Sequence, residues 1–180
     1  MLHESKGKEL LSCVSYCCFY LAVIIEVMMV LIDKSAYTNP IEGILFRITF
    51  LLCFVKVCLT KYSVKEYVVM ALFLGLGAVS YFATGRNEIV RIVMFIAACK
   101  NVDMQKCLKL VFYMTLAGCV AIITLSLFGI GGDIALTQDY GRIGVETRYT
   151  LGMGHPNALH CMFWALTVLG LYLYGEKIKW

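Results

Sequence analysis

The residues best suited to chemistry in this chain are arginines. Arg142 and Arg148 stand in a glycine-rich stretch, residues 131–156, that runs into Pro156-Asn157 through His155. Arg47, Arg86 and Arg91 complete the set. A guanidinium carries a permanent charge and a planar fork of donors, so it grips phosphate or carboxylate through two bonds at once. Such a set around one end of a protein suits an anionic substrate, for example one bearing pyrophosphate. His155 lies where the loop meets an apolar run, and an imidazole there can move a proton or donate to a phosphate oxygen. Asp33, Glu42, Asp133, Asp139 and Glu146 supply carboxylates for acid–base work, and spacing selects none of them.

The same residues admit structural roles. Glu88 and Arg91 are three apart, the spacing of a pair on one helix face. Glu26 and Arg47 fall at matching depth in adjacent apolar runs and can neutralise each other, as intramembrane charges tend to. Arg142 and Arg148 have Asp139 and Glu146 close by. His155 and His160 are separated by about 140° around a helix, which does not converge on a metal. The nine cysteines include no C-x-x-C and none has a histidine at ligand spacing, so they read as small apolar packing residues. No G-x-S-x-G, phosphate-loop or dinucleotide fingerprint occurs. Neither a metal nor an organic cofactor is expected.

The elements that position these residues are set by composition. The chain is 61% apolar and 16% charged, with a mean hydropathy of +0.80. A soluble domain carries roughly 45–50% apolar and about 25% charged residues. So much apolar surface exceeds what one 180-residue core can hide, and a bilayer can take it. A net charge of +4, spread along the chain, excludes a nucleic-acid surface. The predicted fold class is therefore all-α, a polytopic transmembrane helix bundle forming one domain over residues 1–180.

Apolar runs of roughly 20 residues match a bilayer core of about 30 Å. They fall at about 10–32, 41–60, 66–83, 107–130 and 157–175, with a shorter candidate at 87–100. The first run lacks a cleavage site of the A-x-A kind and reads as a retained span. Counting the short candidate gives about six spans. It also puts Lys6, Lys8, Lys61, Lys65, Lys100, Lys106, Lys109, Lys177 and Lys179 on one side, which the positive-inside rule makes the cytoplasm. Both termini are then cytoplasmic, in a multi-pass protein of the bacterial cytoplasmic membrane. Residues 131–156 become an external loop. Every arginine lies in the outer half, whereas the lysines, Lys34 excepted, lie in the inner half. The positive-inside rule treats the two alike, so the arginines need another reason to be there. The stretch from Ile134 to Leu151 alternates partly, which fits a short hairpin or an interfacial segment.

Arg148-Tyr149-Thr150-Leu151-Gly152-Met153-Gly154-His155-Pro156-Asn157 resembles the R-x-S-x-G-F-x-H-P-N stretch of bacterial polysaccharide polymerases of the Wzy and O-antigen-ligase type. The order of spans, external loop and H-P-N helix start is similar too. Thr150 and Met153 replace the more usual Ser and Phe. The resemblance implies a metal-independent inverting glycosyltransferase that polymerises or ligates glycan repeat units carried on undecaprenyl pyrophosphate at the outer membrane face. It assigns Arg148 and His155 to catalysis, Asn157 to substrate binding, and Gly152 and Gly154 to shaping the loop. Arg142, Arg86, Arg91 and Arg47 join the substrate-binding set through their outer placement. The partners implied are a lipid-linked oligosaccharide and membrane lipids. Family members have ten or more spans and a second external loop with further arginines or a histidine. On that pattern the chain is expected to be an N-terminal half, working with a C-terminal half or a second membrane subunit.

Two other classes stay open. A transporter or flippase subunit for an anionic lipid or metabolite predicts broken helices at the midplane, and Gly75-Leu76-Gly77 is the candidate break. A non-enzymatic membrane partner or remnant predicts instead that Gly75 and Gly77 are helix-packing contacts.

Overall fold

The computed structural model describes residues 2–85, 88–139, 141 and 144–177. Arg86 and Arg142, both expected in the anion-binding set, lie outside the described residues. Among the described residues the chain forms six α-helices and one β-hairpin. The helices are α1 (Leu2–Lys34), α2 (Glu42–Cys58), α3 (Val64–Thr84), α4 (Glu88–Ala98), α5 (Met104–Leu127) and α6 (Pro156–Tyr174). The strands β1 (Ala135–Asp139) and β2 (Val145–Tyr149) pair antiparallel between α5 and α6, so the alternation at Ile134–Leu151 folds as a hairpin.

Four helical stretches are long and apolar enough to cross a membrane: Glu9–Lys34, Val64–Thr84, Met104–Leu127 and Pro156–Lys177. Their ends follow local chemistry. Ser63 and Glu66 form a capping box at the start of α3, each side chain accepting the other's backbone N–H, at 3.4 and 2.6 Å. Gly85 closes the same helix in the left-handed conformation, at φ 72°.

The short candidate span over 87–100 folds as α4, within those bounds. Its helix has 11 residues, about 16 Å of rise, or half a bilayer core. The cause lies at its end. Cys99 and Lys100 tighten into short-range turns and Asn101 takes φ 61°, which ends the helix before α5 begins.

The chain divides into two compact units, Met1–Ile25 with Gly43–Met104, and Glu26–Glu42 with Gln105–Trp180. In the first, Phe19, Ala22 and Val23 of α1 are buried, as are Cys53 of α2 and Met94, Ala97 and Ala98 of α4. Gly77 lets α4 approach α3, because a Cβ there would sit 2.8 Å from a Val90 methyl. Helix α3 runs unbroken through Gly75 and Gly77. The break expected for a transporter is absent from it. The second unit is built on Leu31, Cys119, Met153, Leu159 and Met162, with Val27, Ile122 and Leu166 packed against them.

Candidate functional site

Within the second unit, the segment from Asp133 to Asn157 is built mostly by its own backbone. The hairpin register sets Leu136 opposite Arg148 and Gln138 opposite Glu146. Residues two apart on a strand share a face, so Glu146 and Arg148 point the same way. The Arg148 Nε and Nη2 both donate to Glu146 Oε2, at 2.9 and 2.5 Å. The pair is part-exposed, and the fork is held in place by its neighbour two residues back. On the opposite face Thr137 and Thr147 hydroxyls meet at 2.8 Å.

Beyond β2 the chain turns sharply into the second unit's core. The N–H groups of Thr150 and Leu151 both donate to the Ile134 carbonyl, at 2.8 and 3.0 Å. The Thr150 hydroxyl, wholly buried, donates to the Asp133 carbonyl at 2.6 Å. Leu151 sits in the left-handed region at φ 48°, a conformation that costs a non-glycine residue about 1–2 kcal/mol. Gly152 follows at φ 81°, where a Cβ would lie 2.8 Å from the Ser126 Cβ and 3.0 Å from the Ile122 carbonyl. Only glycine fits. Met153 is buried in the core cluster.

A second strand of contacts comes from the α1–α2 loop. Ser35 and Met153 form an antiparallel bridge, Gly154 N–H donates to the Lys34 carbonyl at 3.0 Å, and Ala36 N–H donates to the Gly152 carbonyl at 3.2 Å. A Cβ at Gly154 would press to 2.8 Å from the Ser35 carbonyl oxygen. Gly152 and Gly154 therefore admit neighbouring backbone that a side chain would exclude.

His155 caps α6. Its Nδ1 accepts the Asn157 N–H at 3.1 Å, and Pro156 takes the first helical position. An Nδ1 that accepts a bond leaves the neutral ring's proton on Nε2. The ring is exposed. Asn157 is exposed beside it. His160 bonds the Pro156 carbonyl at 2.9 Å, one turn along α6.

Arg148, Gly152, Gly154, His155 and Asn157 thus lie in one unit. Arg47 and Arg91 belong to the other. The Arg91 guanidinium lies over the Phe46 ring at 4.8 Å, a cation–π contact, and Arg47 is exposed on α2. Glu26 and Arg47, expected as an intramembrane pair, fall in different units. Among the described residues, no group of three or more His, Cys, Asp or Glu side chains is arranged to hold a metal.

Sequence reasoning passed over a polar cluster in the first unit. Lys56 is buried, Lys100 pairs with Glu66, and Tyr62 and Tyr16 bond the carbonyls of Ala97 and Asn101. One signal was readable, a lysine within the apolar run 41–60, since a charge inside a span usually marks a partner or a site. The Ser63-x-x-Glu66 box was another. Ser35 and Asp133 carried no signal, because they act through their backbone.

No family model, no curated protein and no solved structure matches the chain.

Proposed function

We propose that the chain takes part in polymerising or ligating glycan repeat units carried on undecaprenyl pyrophosphate, at the outer face of the bacterial cytoplasmic membrane. The observation that carries this reading is the fold of Arg148–Asn157. Of the positions that resemble the polymerase motif, Thr150, Gly152, Met153 and Pro156 are buried, His155 and Asn157 are exposed and Arg148 is part-exposed, and these last three are groups an anionic substrate needs. The two departures from the motif fit the same division. Thr150 keeps the hydroxyl that a serine would use toward Asp133, and Met153 keeps the large apolar side chain that a phenylalanine would bury.

In the reaction the acceptor hydroxyl attacks the anomeric carbon of the sugar on its carrier. The bond from that carbon to the pyrophosphate oxygen breaks with inversion, the pyrophosphate leaves on undecaprenol, and the hydroxyl's proton passes to water. Arg148 holds the departing pyrophosphate and stabilises its growing charge. His155 binds a phosphate oxygen and so orients the donor. Arg47, Arg86, Arg91 and Arg142, by the outer placement expected from the sequence, attract the anion.

The membrane reading places six spans with both termini in the cytoplasm. Helix α4 is short, yet Lys100 after it bonds Glu66 at the start of α3. That bond brings the end of α4 beside the start of α3, which supports the parity that the lysines require. Against the transporter reading stands the continuity of α3.

A glycan-elongation assay in membranes carrying the chain tests this. Lipid-linked repeat units should lengthen, and His155→Asn should slow that at least tenfold although asparagine is as good a helix cap. Full activity in His155→Asn would leave His155 a cap alone. Solute uptake without elongation would replace the polymerase reading with the transporter.

A further inference from the structure

Four segments of the first unit converge at the lysine-bearing end of α3. Tyr16 of α1 donates to the Asn101 carbonyl at 2.7 Å. Lys56, near the end of α2, is only 2% exposed. Its Nζ bonds the Thr60 hydroxyl at 3.1 Å and the Lys100 carbonyl at 3.2 Å, and lies 5.0 Å from the Tyr16 ring centre. All three partners are neutral. Lys100 binds both oxygens of Glu66, at 2.7 and 2.6 Å, and lies over the Tyr62 ring at 4.8 Å. Lys61 and Lys65 are exposed in the same short stretch. One carboxylate, Glu66, thus stands among four lysines.

An open groove of about 470 Å³ leads away from this cluster. Tyr62, Lys65, Lys100 and the Lys100-paired Glu66 line its polar end, and Val69, Met70 and Ile96 are among the apolar residues that line the rest. The groove follows α3, a helix long and apolar enough to cross a membrane, of which only 6% of the most apolar window is buried within the chain. A water-soluble anion would gain nothing from Val69, Met70 and Ile96. A neutral lipid would gain nothing from the surplus lysines. A molecule with a long apolar tail and an anionic head satisfies both ends.

We propose that this groove binds an anionic phospholipid, its phosphate against Lys65 and Lys100 and one acyl chain along Val69, Met70 and Ile96. Two of the three Lys100 N–H bonds go to Glu66, leaving a third for the phosphate. Lys65, exposed at the rim, supplies the second contact. Lys56 fixes the floor, because its bond to the Lys100 carbonyl anchors the turn that carries the Lys100 side chain. Basic pockets among membrane helices hold anionic headgroups by the same means. The inference uses the membrane-crossing character of α3 and is independent of the glycan reaction.

The test is a titration of the purified chain, in a neutral detergent, with phosphatidylglycerol and with phosphatidylcholine, read by native mass spectrometry. Phosphatidylglycerol should bind about tenfold more tightly. Lys65→Gln should remove about fivefold of that preference, the worth of one lysine near a headgroup, and leave phosphatidylcholine unchanged. Met70→Trp, which fills the apolar part, should weaken both lipids. Lys109→Gln on α5 should change neither. Equal binding of the two lipids overturns the proposal, as does a Lys65→Gln variant indistinguishable from Lys109→Gln. Displacement of phosphatidylglycerol by millimolar inorganic phosphate overturns it in favour of a free-anion site. Far-UV circular dichroism of each variant establishes that the helices are intact. A carbonate wash of native membranes separates the two layers of the argument. A chain that washes off defeats the membrane reading and the groove with it; a chain that stays, without lipid preference, defeats the groove alone.

Discussion

The Arg148 segment and the Lys56–Lys100 cluster are both cationic, yet they are built in opposite ways. Around Arg148 the polar side chains bond mostly near neighbours in sequence, and the contacts from the distant Lys34–Ala36 segment are made by backbone. Glu146 holds the fork from two residues away, Asp139 caps its own turn at Gly141, and His155 caps the helix it precedes. Around Lys56 the bonds are distant in sequence: Tyr16 to Asn101 spans 85 residues, Lys56 to Lys100 spans 44 and Lys100 to Glu66 spans 34. The local region leaves its charged tips exposed. The distant one buries an ammonium and spends it on carbonyl, hydroxyl and ring. The contrast separates a loop that keeps its polar side chains at the surface from a joint that ties helices together with a groove beside it.

Breaking the local region should cost most where backbone meets backbone. Gly152→Ala forces a methyl against Ser126 and Ile122 at a positive φ, and should destabilise the chain by about 3 kcal/mol. Thermal unfolding in detergent reads this. His155→Ala should cost about 1 kcal/mol through the lost cap, and His155→Asn only a few tenths. If the two variants melt alike, the cap is not what His155 contributes to stability.

The distant region responds to pH as well as to mutation. Burial pushes the Tyr62 phenol above its ordinary value of 10.0. A raised value in the folded state means that its stabilisation is complete below about pH 10 and is lost as the pH rises further. Tyr62→Phe should cost about 1 kcal/mol at neutral pH, by leaving the Ala97 carbonyl without this donor. It should also flatten the alkaline decline, and an unchanged slope would show that other groups set it. The smallest effect belongs to Glu146→Gln. A part-exposed ion pair contributes little, so stability should move by less than about 0.5 kcal/mol. Elongation should nonetheless fall, because Arg148 loses the charge that orients it.

This same split between local and distant bonds decided what could be read in advance. The helices, the loop, the hairpin's alternation and the roles of Gly152 and Gly154 are written in short stretches of sequence. Period, turn residues and the His-Pro-Asn start are enough to find them. The shortness of α4 was legible too, and among the described residues only the last two of that candidate span, Cys99 and Lys100, fold as turn where the sequence reads as span. The pairing of Ser35 with Met153 was hidden, because main-chain bonds leave no mark on residue type. Lys56 did leave a mark. It was counted for its side of the membrane and not asked for its partner. Charge segregation drew attention to all five arginines together, whereas Arg47 and Arg91 lie in a different unit from Arg148.

The most direct test of the central claim is the length distribution of glycans made in membranes carrying Arg148→Lys. Lysine preserves the charge and loses the planar fork. The account predicts that elongation falls by about a hundredfold or more, the usual cost of removing a group that stabilises a leaving anion, with the chain still inserted and melting normally. A normal length distribution from Arg148→Lys would contradict it and would make Arg148 a surface partner of Glu146 and nothing more.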